Sequence, residues 1–190
     1  MIKKRKILLS SIIIAAFVIL FFFMINISLK SNINNAFDVT IENGVKWIKL
    51  EESKRFKITP KIMIKPSEKV ESPYLIFDLY IENKTDKPIY NIVVTAFLSD
   101  KIRKYMSTPL NIFGNVKDNP VNLIPGKIPY ALYVTKITNI PNYNAFTEEQ
   151  KEEMMEILKE PIKVKISYDS GVEYLIIDSS EIIIENYVDI

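Results

Sequence analysis

Tyr74–Asp100 reads YLIFDLYIENKTDKPIYNIVVTAFLSD. Leu75, Phe77, Leu79 and Ile81 alternate with other residues, then Ile92, Val94, Ala96 and Leu98 do the same. Successive side chains of a strand point to opposite faces, so each set lines one face of a half-buried strand. Asn83–Pro88 between them is rich in turn formers, and the simplest expectation is a β-hairpin. Asn83-Lys84-Thr85 is also a formal glycosylation sequon, but Asn and Thr here suit bonds to nearby backbone amides.

The same signals extend in both directions. Phe37–Glu42 alternates, Asn43-Gly44 is a strong two-residue hairpin signal, and Val45–Leu50 is the expected return strand. Phe56–Ile64 alternates around Pro60, which suggests an edge position because proline cannot donate to a ladder. Tyr130–Val134, Ile162–Tyr168, Val172–Ile177 and Glu181–Ile184 complete the set, with Asp169-Ser170-Gly171 as a turn. Gly44, Gly114, Gly126 and Gly171 all fall at expected turns. One helix interrupts the strands. Thr147 and Gln150 form a capping box, Met154, Ile157 and Leu158 form an apolar stripe, and Pro161 ends it. The expected fold is mainly β: an antiparallel sandwich of eight or nine strands over residues 37–190, with one short helix across one end.

Tyr74–Asp100, followed by Leu123-Ile124-Pro125-Gly126, resembles the immunoglobulin-like exterior domains of bacterial membrane-anchored proteins, the FxLYD type among them. Those domains have a strand ending in Asn, a turn with Thr or Ser, Ile/Val-x-Asn-Val on the return strand and a later Pro-Gly turn. At the namesake motif the chain has Ala96-Phe97-Leu98-Ser99-Asp100, keeping only the Leu and the Asp. The resemblance implies an Ig-like fold and an exterior address, with no defined activity.

The address is also written at the N-terminus. Ile7–Leu29 contains no charged residue. As a helix it reaches about 34 Å, enough to cross a hydrocarbon core of about 30 Å. Lys3-Lys4-Arg5-Lys6 precedes it, and no acidic residue occurs before Asp38. Basic residues resist translocation, so residues 1–6 are expected in the cytoplasm and 30–36 as a tether to an exterior domain. A cleaved signal peptide has a shorter core and a small-x-small site, whereas Asn34-Asn35-Ala36 offers a bulky Asn. A retained signal anchor is the expectation.

Composition narrows the chemistry. The chain has neither His nor Cys, which removes the common nucleophilic triads, histidine acid–base catalysis and ordinary zinc, haem or iron–sulfur ligation. Gly126-Lys127 lacks the first glycine of a phosphate-binding loop, whose place Val121 takes. No cofactor, metal or catalytic residue is expected. Beyond residue 30 there are 20 basic and 23 acidic residues, a net charge of −3 with no footprint for nucleic acid. Asp78, Asp100 and Asp178 leave a carboxylate-based envelope hydrolase as an alternative, and a passive spacer is another.

The leading expectation is a non-enzymatic accessory subunit that binds a protein or envelope partner. Lys101–Asn122 is long for a connection and carries Arg103, Tyr105, Met106 and Phe113, residue types typical of interface centres. These four are the candidate partner-binding residues, on condition that the aromatic side chains stay partly exposed. Otherwise Leu110–Phe113 is a further strand or plugs the sandwich.

Overall fold

A computed structural model of the chain describes residues 36–188 except 43, 70, 128 and 129, together with the helical residues 21, 24, 25 and 28. The expected anchor Ile7–Leu29 thus lies almost wholly outside the described residues. Among those described, no helix is long and apolar enough to cross a membrane.

Ten strands form two sheets. They are β1 (Ile48–Lys49), β2 (Phe56–Lys65), β3 (Tyr74–Asn83), β4 (Ile89–Phe97), β5 (Ile112–Gly114), β6 (Val121–Leu123), β7 (Ala131–Asn139), β8 (Ile162–Tyr168), β9 (Gly171–Ile177) and β10 (Ile183–Asn186). Sheet A runs β1-β9-β8-β4-β5, with β6 also on β4; sheet B runs β10-β2-β3-β7. Their inner faces interdigitate into one apolar core, in which Phe56, Ile62, Phe77, Leu79, Ile92 and Leu123 are almost fully buried. Residues 48–186 form a mainly-β sandwich that carries one short α-helix among the described residues.

The expected hairpin over Tyr74–Asp100 does not form. β3 pairs with β2 and β7, and β4 pairs with β8 in the opposite sheet, so Lys84–Pro88 crosses between sheets. Alternation is the same in both arrangements, because each strand turns one face to the core either way. Turn chemistry holds the corner. The Asn83 side chain accepts from the Thr85 amide and hydroxyl, and donates to the carbonyls of Lys87 and Leu123 at 2.7 and 3.2 Å. That last bond ties the corner to β6.

The expected β8–β9 hairpin forms as read, with Tyr168 opposite Gly171. Two pairings depart from the antiparallel expectation: β1 lies parallel to β9, and β10 parallel to β2. Pro60 sits inside β2, yet its missing N–H faces away from β3, and β10 begins pairing only at Lys61. The parity follows from Arg55, whose carbonyl accepts the Lys84 amide and so places the odd residues of β2 toward β3. Gly114 ends β5 and does not turn. A Cβ there would lie 1.9 Å from the Val94 carbonyl oxygen, so only glycine permits this approach to β4.

The helix α1 (Glu148–Leu158) has the capping box read from sequence, with Gln150 N–H donating to Thr147 Oγ1 at 3.3 Å and Thr147 N–H to Gln150 Oε1 at 2.9 Å. Met154, Ile157 and Leu158 are buried against the end of the sandwich where Ile62, Phe77, Leu98 and Ile102 meet.

Residues 37–42 and 44–47 form no strand, so the strands expected on either side of Asn43-Gly44 are absent there, and Asn43 itself lies outside the described residues. The segment is a strap over the outer face of sheet A, and a lysine fastens it. Lys165 alternates with the inward residues of β8 and so was legible as solvent-facing, yet it is only 5% exposed. Its Nζ lies 2.8 Å from Asp38 Oδ2 and donates to the Thr40 carbonyl at 2.6 Å, while Ser167 Oγ donates to Asp38 at 2.6 Å. Trp47 meets Tyr174 edge-on at 5.3 Å where the strap joins β1. Burial pushes the Asp38 carboxyl up, but the bonds from Lys165 and Ser167 and the lysine charge outweigh it and hold it below the usual value. Asp38 therefore contributes stability that is complete above the unfolded pKa of 3.8 and is lost as pH falls through the lower folded value.

Removing one partner of such a pair leaves a buried charge, whereas removing both leaves an apolar contact. Asp38→Ala is expected to cost about 1–3 kcal/mol, discounted for the part-exposed carboxylate. Asp38→Ala with Lys165→Met should recover most of that loss. Urea unfolding followed by circular dichroism measures both. Equal destabilisation in the single and double variants would mean that the pair does not fasten the strap.

Candidate functional site

The long connection after β4 proves to be structure. Asp100–Tyr105 is a 3-10 turn, capped by Ser99 and wedged against α1, and β5 and β6 follow. Tyr105, Met106 and Phe113 are 5, 6 and 4% exposed. The Tyr105 hydroxyl donates to Glu153 at 2.7 Å and its ring packs edge-on against Phe146. Phe113 packs against Phe77 across the two sheets. Arg103 remains half exposed, but its guanidinium is spoken for. It donates to Asn111 Oδ1 at 2.7 and 3.1 Å and lies 2.9 Å from Asp100. Asn111 in turn exchanges bonds with Leu98, joining the connection to the end of β4. The exposure on which the partner-binding expectation rested is absent at the three apolar residues, which plug the sandwich. Aromatic residues beside an arginine look alike in a binding loop and in a plug, because both bury them.

A cluster of exposed aromatic side chains lies elsewhere, on the outer face of sheet B. Strand alternation turns Tyr133, Thr135 and Ile137 of β7 outward, beside Tyr80, Asp78 and Ile76 of β3. Tyr133 is 71% exposed, and Ile137 and Tyr130 are each 59% exposed. The Tyr80 and Tyr133 rings are 4.7 Å apart, and Tyr130 closes the cluster. Burial against these neighbours first, and then the Glu82 carboxylate, push the Tyr80 hydroxyl above the ordinary tyrosine value. Ile76 and Ile137 stand directly opposite each other, with Met63 next in the row. Between the tyrosine row and the isoleucine row runs a polar one. Thr135 donates to Asp78 at 2.6 Å, and Lys61 pairs with Glu185 at 2.8 Å.

The signal for this face was in β3 itself. Tyr74–Ile81 is apolar at nearly every position, broken only by Asp78, the pattern of a strand covered on both faces. One of those faces has no cover among the described residues. Sheet A differs, since the strap lies over its outer side.

The edge of this face is also open. β7 pairs only with β3, and Asn139 turns its amide and carbonyl away from β3 to Ser107. Ile140 donates to Pro73 on the other side, so the even residues of β7 bond β3. Ala131, Tyr133, Thr135 and Ile137 therefore present their backbone groups outward. Lys136 points to the core side, opposite buried Phe77 and on one face with Val134 and Thr138. Half-burial alone lowers its pKa below the ordinary lysine value, and no acid among the described residues pairs with it.

The three carboxylates singled out from sequence are dispersed. Asp78 lies in the open face, Asp100 is held by Arg103, and Asp178 is paired with Lys49 at 3.1 Å beyond β9. Among the described residues no group of three or more acidic side chains is placed to hold a metal. At the end of the sandwich away from α1, a cleft of about 560 Å³ lies between the Lys84–Pro88 corner and the β8–β9 turn. Its Arg55 is engaged by Glu173 and by the Tyr168 ring, and its Asp169 by Asn91. No family model matches the chain, and no curated protein matches it.

Truncating a buried aromatic costs about 3–5 kcal/mol. Tyr105→Ala with Phe113→Ala should therefore collapse the melting temperature, as thermal unfolding by circular dichroism will register. A melting temperature lowered by only a degree or two would return both residues to the surface.

Proposed function

We propose that the chain is a membrane-tethered exterior domain with an Ig-like fold that performs no catalysis and binds a protein or envelope partner as an accessory subunit. The observation that carries this reading is the uncovered outer face of sheet B. Tyrosine is enriched at interface centres, and solitary exposed apolar residues need no such explanation. Here a tyrosine pair and an isoleucine pair flank the Thr135–Asp78 polar row on one face of two neighbouring strands. A passive spacer would gain nothing from such a face and would lose solubility by it.

Strand order supports the Ig-like reading. β2-β3-β7 and β4-β8-β9 correspond to the A-B-E and C-F-G pairings of that fold. The uncharged stretch Ile7–Leu29 and its basic flank support the tether and the exterior address. The hydrolase alternative needs two carboxyl groups about 5–10 Å apart in one cleft, and Asp78, Asp100 and Asp178 are each committed to a different element.

Crosslinking in intact cells tests the proposal. Tyr133→Thr with Ile137→Thr keeps strand propensity and changes only the open face. The double variant should lose the crosslinked partner while stability moves by less than about 1 kcal/mol. Protease added outside the cells should digest the domain in both forms. Crosslinks unaffected by the double variant, or a domain protected from outside protease, would contradict the proposal.

A further inference from the structure

We infer that the open edge of β7 is a strand-addition site for an extended peptide segment carrying a carboxylate at an inward position. The inference deepens the proposed function, resting on it only in that a partner is met on this side of sheet B.

The edge has the features of a docking template. Nine residues without proline, glycine or a bulge run straight from Ala131 to Asn139. Four of them present outward backbone groups with no partner among the described residues, and the chain itself supplies the first rung at Asn139. Ser107 donates there to the carbonyl at 2.9 Å, and its hydroxyl accepts from the amide at 3.2 Å. A strand added beyond Ser107 would continue a pattern already begun. Main-chain bonds give such a complex its affinity, and alternate side chains give it specificity.

Charge decides which strand fits. Inward-pointing lysines commonly guard sheet edges against unwanted pairing. Lys136 does so with a cation that is half-buried and has no acid beside it among the described residues. An added strand would bury that cation further, and burying an unpaired charge is costly. A strand with Asp or Glu facing inward beside Lys136 removes the cost and converts it to a charge-assisted bond. On the outer face the same strand would lie beside Tyr133 and Ile137, which favour aromatic or β-branched neighbours. The segment expected is therefore apolar and β-forming on its outward positions, with one acid inward.

A second copy of this chain does not meet the requirement. The inward residues of β7 are Leu132, Val134, Lys136 and Thr138, so two-fold antiparallel pairing of β7 with itself brings no acid to Lys136 in any register. In registers centred near Lys136 the two cations also stand opposite or diagonal to each other. Self-pairing leaves both cations uncompensated, and an acidic strand does not.

Fluorescence anisotropy on the full chain in detergent micelles tests this. The probe is a labelled nine-residue peptide of alternating valine and threonine with one inward glutamate, compared with the same peptide bearing glutamine. The glutamate peptide should bind about ten-fold tighter, in line with a charge-assisted bond. Lys136→Met should erase the difference. Thr135→Pro removes an amide that faces outward, so it should abolish binding of both peptides with the far-ultraviolet spectrum unchanged. If that variant does not fold, N-methylation of the peptide at alternate amides should abolish binding in its place. Equal affinity for the two peptides would overturn the inference. So would binding that survives both backbone changes, or a dimer of the unmodified chain that Thr135→Pro dissociates. Purified chain and synthetic peptide are used, so failure here leaves the crosslinking outcome in cells unaffected.

Discussion

Five residues, Lys84–Pro88, carry the chain from one sheet to the other, and the place of every later strand depends on that crossing. Had the chain turned back on itself, β4 would have covered β3, and β7 would have had no site there. Because β4 leaves, the partners of β3 come from distant sequence: β2 on one side and β7 on the other. The corner is fixed by Asn83, whose amide spans the Lys87 and Leu123 carbonyls and so locks the start of β4 against β6. β7 arrives as the last strand of sheet B, and among the described residues only Ser107 bonds its outer edge. The open edge and the bare tyrosine face follow from that position.

Local chemistry was legible in the sequence, and long-range pairing was not. The α1 capping box, the β8–β9 turn and the alternation of β2, β3, β4 and β8 depend on neighbours a few residues apart, and all appear where expected. The hairpin over Tyr74–Asp100 failed because alternation reports which face is buried and is silent about which sheet buries it. The strands expected beside Asn43-Gly44 are missing for another reason. Gly44 does lie in a turn with positive φ, but the flanking strap is held by Lys165 and Ser167, more than 120 residues away, and not by a strand partner. Nothing in the alternation of β8 announces that Asp38, 127 residues earlier, pairs with Lys165. At Lys101–Asn122 the residue types alone could not say whether they are exposed or buried, since a plug and a paratope select the same side chains, and Tyr105, Met106 and Phe113 are buried. The tyrosine face was readable in principle from β3, which is apolar on both faces.

Two lysines summarise how the sandwich handles charge. Lys165 is the more deeply buried, and it is compensated by a carboxylate and a carbonyl from the strap. Lys136 is half-buried on the core side of an edge strand, and burial depresses its pKa with no acid among the described residues to offset it. A depressed lysine pKa means that the protonated form costs stability. That cost is relieved as pH rises from the lowered folded value toward the unfolded 10.5. The first lysine closes the outer face of sheet A. The second leaves a vacancy on sheet B that only an oppositely charged strand fills well. The sandwich is in this sense asymmetric, sealed on one side and receptive on the other.

Amide hydrogen exchange along β7, followed by nuclear magnetic resonance on the full chain in micelles, tests the receptive side most directly. The account requires alternation. Leu132, Val134 and Lys136, bonded to β3, should exchange slowly, while Tyr133, Thr135 and Ile137, which face outward, should exchange orders of magnitude faster, as unpaired amides do. Uniformly slow exchange along β7 would show that the edge is already covered, and the open-edge account would be wrong.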